Sequence, residues 1–402
     1  MQIRGEGTIN AQRQSAPGKE HLSRTFVDAA NSEQTDPWAR FAILFQPLSA
    51  SLSEFHSSDV YFSHRNERRS GHFCPPSSSC TRDNRLSRTI LVTGGAGFIG
   101  SHLVEALVQR GHRVRVVDNL ITGRREYLTQ VADRIEFFEG DILDSQLMRL
   151  AMQGVEIVFH QAALASVPLS IERPHDVHAA CASGTLNVLD HARQAGVRRV
   201  VYAASSSLYG NQPHATNRET DVPGPMSPYA VAKLAGEYYC HAYYHSFGLE
   251  TVCLRYFNVF GPRQDPDSTY SAVIPLFITR LLSGQRPIVF GDGQQSRDFT
   301  FVDNVVHGNL LAAEAVGAAG RSFNLANGRS TSLLQLLGAL RRLLNVKLEP
   351  IHEPARVGEV RHSMADISQA TLHLGYEPLI DFETGLARSI DYYRSVLAVS
   401  TS

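Results

Sequence analysis

The sequence predicts an α/β fold, a doubly wound parallel sheet with a smaller C-terminal lobe, and three observations carry that reading. The β-branched run Thr89-Ile90-Leu91-Val92 leads straight into Thr93-Gly94-Gly95-Ala96-Gly97-Phe98-Ile99-Gly100, and a helical apolar pattern continues through Leu103, Leu107 and Val108. Strand-like and helix-like segments then alternate, as they do in parallel sheets built from βαβ units. Tyr229 and Lys233 stand four residues apart in Ser227-Pro228-Tyr229-Ala230-Val231-Ala232-Lys233, a spacing that places both on one helix face, about 5–6 Å apart at Cβ.

In chain order, residues 1–85 are expected to be a disordered extension. They are rich in Ser, Arg, Asn, Gln and Pro, with one short apolar patch at Phe41-Ala42-Ile43-Leu44-Phe45, too little to offset the cost of ordering. The patch is short for a secretory signal, and Glu6, Glu20, Asp28, Glu33 and Asp36 disfavour a transit peptide. A regulatory tail and a mis-set translation start both fit. The dinucleotide-binding domain is expected over 86–260. In its first strand–turn–helix unit, Gly94 permits the tight turn, Gly97 lets backbone N–H groups approach a pyrophosphate, and Gly100 lets the helix pack closely on the strand. Arg113-Val114-Arg115-Val116-Val117 reads as the second strand and ends at Asp118. That acid lies about twenty residues after the glycines, where a carboxylate accepts from a ribose 2′-hydroxyl and repels a 2′-phosphate. NAD is therefore favoured over NADP, with Arg124 and Arg125 arguing weakly the other way. Strands follow at Arg134-Ile135-Glu136-Phe137-Phe138, at Val155-Glu156-Ile157-Val158-Phe159, and at Arg199-Val200-Val201-Tyr202-Ala203-Ala204, whose end delivers Ser205 to the ligand-binding rim. Residues 261–402 carry more Pro, Gly and Asp and are expected to form the smaller lobe, with some segments returning to the first domain.

Composition narrows the function. With 402 residues, 43% hydrophobic, 19% charged and net charge −1, the chain can bury a large core and has no basic footprint for nucleic acid or anionic membrane. No apolar run approaches the roughly 18 residues that span a bilayer. The five cysteines, Cys74, Cys80, Cys181, Cys240 and Cys253, have no metal-ligand pairing and read as reduced thiols of a cytoplasmic protein. No metal is expected. A lysine ammonium beside Tyr229, together with a cationic nicotinamide ring, is expected to pull the phenol below its usual pKa of about 10 and make it a general base.

Seven motifs in order carry a resemblance: Thr93–Gly100, Asp118-Asn119-Leu120, Gly140-Asp141-Ile142, His160-Gln161-Ala162-Ala163, Ser205-Ser206-Ser207-Leu208-Tyr209-Gly210, Tyr229-x-x-x-Lys233 and Arg255-Tyr256-Phe257-Asn258-Val259-Phe260-Gly261-Pro262. From about Arg88 to Tyr393 the chain resembles an extended short-chain dehydrogenase/reductase of the nucleotide-sugar epimerase/dehydratase group. The resemblance implies a Rossmann-type sheet, NAD as cofactor, a UDP-sugar as substrate and a homodimer. It implies that Tyr229 takes the proton of the sugar 4-hydroxyl while C4 passes hydride to the nicotinamide, that Ser205 bonds the same oxygen, and that Lys233 holds the nicotinamide ribose. Cofactor contacts are implied at Gly94, Gly97, Phe98, Ile99, Gly100, Asp118, Asn119, Asp141, Ile142, Ala162, Ala163 and Tyr256 besides Tyr229 and Lys233. Substrate contacts are implied at Ser166, Ser205, Ser206, Asn258, Phe290, Arg297, Arg356, Glu359 and Ser363, with Arg297 and Arg356 as a diphosphate clamp.

Within the family, dehydratases carry an Asp-Glu pair before the Tyr-Gly, and uronate decarboxylases a Glu; here Ser206 and Ser207 stand there, which leaves simple 4-epimerisation. A dehydratase or uronate-modifying relative is the alternative reaction, and a non-catalytic NAD-binding scaffold the alternative class. Where a bulky tyrosine excludes a 2-N-acetyl group in epimerases, this chain has Ser363. The run Arg263-Gln264-Asp265-Pro266 followed by Ala272-Val273-Ile274-Pro275, with His160-Gln161-Ala162-Ala163-Leu164-Ala165-Ser166-Val167-Pro168, most resembles bacterial UDP-N-acetylglucosamine 4-epimerases of surface-polysaccharide pathways, with UDP-glucose as the other candidate. One departure stands out: Cys181 occupies the position of the usual Asn before Gly184-Thr185, losing an amide that donates and accepts.

Overall fold

The computed structural model describes residues 87–266, 272–355 and 360–400, all within the compact unit Cys80–Ser402. The extension over 1–85, with Cys74 and Cys80, and the expected contacts Arg356 and Glu359 lie outside the described residues.

Seven parallel strands form the central sheet: β1 (Thr89–Thr93), β2 (Arg113–Asp118), β3 (Ile135–Glu139), β4 (Ile157–His160), β5 (Arg199–Ser205), β6 (Glu250–Tyr256) and β7 (Arg321–Leu325). Their spatial order is β7-β6-β5-β4-β1-β2-β3. Strand order therefore reverses between β1 and β4, and the crevice at that switch point is where open α/β sheets bind ligands. The strands are nearly continuous apolar runs because helices cover both faces. Alternate residues feed two cores: Ile90, Val92, Val116, Phe159 and Leu254 pack on one side, and Leu91, Val117, Val158, Val200 and Tyr202 on the other.

The C-terminal part supplies β7 and the covering helices Val302–Glu314 and Ser368–Leu374 to this sheet. Traffic in the other direction was not foreseen. Thr216–Asn217 leaves the first domain and joins the lobe's four-stranded sheet, paired in parallel with His362–Ala365, which in turn pairs with Ser296–Arg297. The lobe has its own apolar core around Phe260, Phe277, Phe299, Leu336 and Tyr393. Among the described residues no helix is long and apolar enough to cross a membrane, and Cys181, Cys240 and Cys253 are free and buried.

Candidate active site

The turn after β1 is built as its glycines demand. Gly94 adopts φ +69°, and a Cβ there would sit 2.6 Å from the Ala162 nitrogen; a Cβ on Gly100 would sit 2.1 Å from the Gly94 carbonyl oxygen. The backbone cradle between this turn and the loop after β4 exists only because those side chains are missing. The helix Phe98–Gln109 starts at Gly97 with no side-chain cap, so the N–H groups of Phe98, Ile99 and Gly100 face outward as an anion site. Asp118, 7% exposed, accepts from Ala96 N and Leu120 N, both at 2.9 Å. Burial raises its carboxyl above the ordinary value, against those two hydrogen bonds. Each oxygen keeps a lone pair for a ribose hydroxyl. Arg124 is bonded to Asp265 at 3.1 Å and Arg125 to Glu139 at 2.5 Å, so both arginines serve carboxylates. Asn119 donates to Asp141 at 2.8 Å, which joins the ends of two strands at the expected adenine edge. Ile142 differs from expectation: its side chain is buried against Gly184 in the core, where a Cβ on that glycine would lie 2.5 Å away. These residues fit a bound dinucleotide.

Ser227 starts the helix Pro228–Phe247, its Oγ accepting from Ala230 N at 3.2 Å with Pro228 in the first position. That cap fixes Tyr229 in the first turn, and Lys233 follows one turn on. Tyr229 stands beside Ser205, at the end of β5, whose hydroxyl acts to lower the phenol's pKa. Ser205 Oγ is 2.9 Å from Ser207 Oγ and accepts from Ser207 N at 3.2 Å, while half-buried Ser206 opens the short turn that follows. Lys233 is 3% exposed, with Nζ 4.6 Å from the centroid of the Tyr202 ring.

The expected lowering of Tyr229 is overturned for the chain taken alone. Burial and the Cys181 thiol push the phenol up, and only the neighbouring Ser205 hydroxyl pulls it down. The physical reason is that the ammonium rests on the Tyr202 ring, where burial lowers its own pKa, so desolvation of Tyr229 wins. Cys181 lies in a single π-helical turn, Ala179–Ser183, a distortion frequent at functional sites. Its thiol is raised by burial and held back by Lys233.

Beneath the site, His160 bridges Thr93 Oγ1 at 2.7 Å and Thr185 Oγ1 at 3.0 Å, and Thr185 donates to the Cys181 carbonyl at 2.7 Å. This chain ties the glycine turn to the π turn. Burial, helped by Lys233, pushes the imidazole down to about 3. An unfolded histidine titrates near 6.5, so between those values the unfolded state binds the extra proton, and stability falls as pH falls by about 1.4 kcal/mol per unit. Denaturant titrations of wild type and His160→Gln should therefore show their stability gap shrinking by about 2 kcal/mol between roughly pH 6.5 and pH 5. A constant gap would mean that His160 is not held neutral.

The other expected contacts divide into three groups. Tyr256 turns its hydroxyl inward, to Asn309 Nδ2 at 2.8 Å and Gln161 Nε2 at 3.0 Å, so it supports the loop carrying Ala162 and Ala163 rather than presenting a phenol. Ser166 caps the helix Val167–Glu172, accepting from Leu169 N at 3.1 Å, and keeps its O–H as a donor. Asn258, Phe290 and Arg297 do come together, lining one mostly apolar cavity of about 300 Å³. Sequence reasoning missed two polar members of that cavity, Arg280 and Gln295. Arg280 carries a signal, as the single charge on the apolar helix Val273–Leu282. Ser363 is in register with Arg297 on neighbouring parallel strands, which sets both side chains on one face of the lobe sheet.

Comparison with known proteins agrees with this geometry. The model of the NAD-dependent epimerase/dehydratase family matches residues 90–326. A UDP-glucose 4-epimerase of Mycolicibacterium smegmatis is 38% identical over 309 residues, 76% of this chain and 98% of that protein. The crystal structure of UDP-glucose 4-epimerase with UDP-glucose from Thermotoga maritima superposes with TM-score 0.74 at 38% identity, covering 77% of this chain and 99% of the other. UDP-N-acetylglucosamine 4-epimerase from Methanobrevibacter ruminantium, in complex with UDP-N-acetylmuramic acid, gives the same TM-score, 0.74, at 35% identity and the same coverage.

Proposed function

The chain belongs to the NAD-dependent epimerase/dehydratase family, alongside UDP-sugar 4-epimerases, and we propose that it is itself a UDP-hexose 4-epimerase, acting on UDP-GlcNAc/UDP-GalNAc and on UDP-Glc/UDP-Gal. The observation that carries the proposal is Tyr229 beside Ser205 at the end of β5, with Lys233 one turn on along the same helix.

Gly94, Gly97, Phe98, Ile99, Gly100 and Asp118 would hold NAD. When bound, NAD supplies a cationic ring that takes hydride from sugar C4 and gives it back, and whose charge opposes the burial that raises Tyr229. Tyr229 accepts the 4-hydroxyl proton as the 4-keto sugar forms, and returns it as the epimer forms. Ser205, anchored by Ser207, donates to the same oxygen. Return of hydride to the opposite face requires the hexose to turn over while its nucleotide stays anchored. An apolar cavity with Asn258, Phe290 and Arg297 suits that division between a firm nucleotide grip and loose sugar contacts. Ser206 and Ser207 stand where dehydration or decarboxylation would need a carboxylate.

Partnering as a homodimer belongs to the same reading. It is supported by the exposed face of the catalytic helix, where Val231 and Tyr238 are 52% and 55% exposed. The functional test is direct: purified protein with UDP-GlcNAc and no added cofactor should yield UDP-GalNAc, measured by chromatography. Bound NAD without turnover on any UDP-sugar would instead favour a scaffold.

A further inference from the structure

The catalytic helix carries a third residue on the face of Tyr229 and Lys233. Glu237, one turn beyond Lys233, is 1% exposed. Its carboxylate accepts Arg255 Nη2 at 2.6 Å, Arg255 Nε at 3.1 Å and Ser322 Oγ at 2.7 Å. Arg255, on β6 and 5% exposed, also donates Nη1 to the Tyr209 hydroxyl at 2.7 Å and to the Glu219 carbonyl at 3.3 Å. Tyr209 ends the turn that begins after Ser205, and donates to Asn324 Oδ1 at 2.6 Å. Asn324 Nδ2 in turn donates to the carbonyls of Asn217 at 3.0 Å and Asp366 at 3.1 Å, at the ends of the lobe strands Thr216–Asn217 and His362–Ala365. One buried guanidinium therefore joins the helix of the base, the turn of Ser205 and, through Asn324, the strand of Ser363.

Stability alone does not account for such a pair. Two buried charges cost desolvation that their attraction roughly repays, and a well-packed apolar pair of similar volume is often as stable or more so. What the ion pair adds is fixed geometry, because a fork held at both ends leaves its neighbours one arrangement. We propose that Arg255 and Glu237 are positioning residues of the reaction, setting the Tyr229 hydroxyl against Ser205 and coupling both to the sugar-facing strand. Neither touches substrate. The role rests on the epimerase reading.

The test removes the pair without leaving a buried orphan charge. E237M/R255M keeps the volume and discards both charges. It should retain thermal stability, bound NAD and KM for UDP-glucose close to wild type, while kcat falls about tenfold or more, since misplacement by about 1 Å costs up to roughly a hundredfold. With UDP-glucose deuterated at C4, the isotope effect on kcat should rise as hydrogen transfer becomes limiting. A purely structural role would move neither reading once stability is restored, so wild-type kcat and isotope effect in the double variant overturn the proposal. If the double variant does not fold, R255K decides, because the ammonium keeps a charge for Glu237 but not the two-pronged fork; kcat per NAD-loaded enzyme reduced about threefold or more supports the role, and unchanged kcat overturns it. A wild-type enzyme silent on every UDP-hexose is a separate outcome, visible before any substitution, and sinks the epimerase reading together with this role.

Discussion

Tyr229→Phe should lower kcat on a UDP-hexose by about 10²–10⁴-fold, the usual contribution of a general acid or base, while the protein keeps its fold and its NAD. The substitution deletes one hydroxyl and little else. The ring stays packed with Val177, Cys181 and Ala232. Ser205, relieved of its phenol partner, still has Ser207 Oγ at 2.9 Å, so no buried donor is orphaned. Lys233 remains over Tyr202. Because burial pushes the phenol up in the chain alone, the proposed proton transfer would draw on the positive charge of the bound cofactor. Activity and cofactor content therefore need measuring on the same sample, by turnover and by acid-extract chromatography. Near-normal turnover in a fully loaded variant would remove Tyr229 from the mechanism.

Ser363→Tyr should separate substrates by size. Ser363 shares a sheet face with Arg297, which lines the cavity proposed to hold the nucleotide, and on that proposal a serine there would leave room for an acetamido group at C2. Adding bulk to a packed site costs typically 1–3 kcal/mol, which at about 1.36 kcal/mol per decade slows the N-acetylated pair roughly ten- to a hundredfold. UDP-Glc and UDP-Gal should be spared. Equal loss on both pairs would mean that Ser363 supports the lobe sheet rather than bordering the sugar, and a wild type confined to UDP-Glc and UDP-Gal would overturn the N-acetyl assignment.

Local pattern made most of the sheet legible, because β1 to β5 are short apolar runs next to their own turn and helix signals. The glycine turn was readable for the same reason, each glycine answering a contact within a few residues or just after β4. The lobe sheet was not. Thr216–Asn217 and Ser296–Arg297 are two residues long, too short to show period-two alternation, and their partners lie far along the chain. Distance in sequence also hid the partners of Arg124 and Arg125, since Asp265 and Glu139 meet them only in the fold. The ionisation of Tyr229 failed for a related reason: helical spacing gives the proximity of Lys233, but burial and the direction of the ammonium are tertiary facts. Glu237 had the spacing to be noticed, at two turns from Tyr229, yet its importance rests on Arg255, which no local pattern connects to it.

The central claim is that hydrogen leaves C4 and returns to the same carbon within one bound complex. It is tested most directly by giving purified protein, with no added NAD, a UDP-hexose deuterated at C4 in ordinary water and following the product by NMR and mass spectrometry. The account expects the 4-epimer with deuterium retained at C4. Epimer formed with the label lost to water, or no epimer from any labelled UDP-hexose, would contradict it.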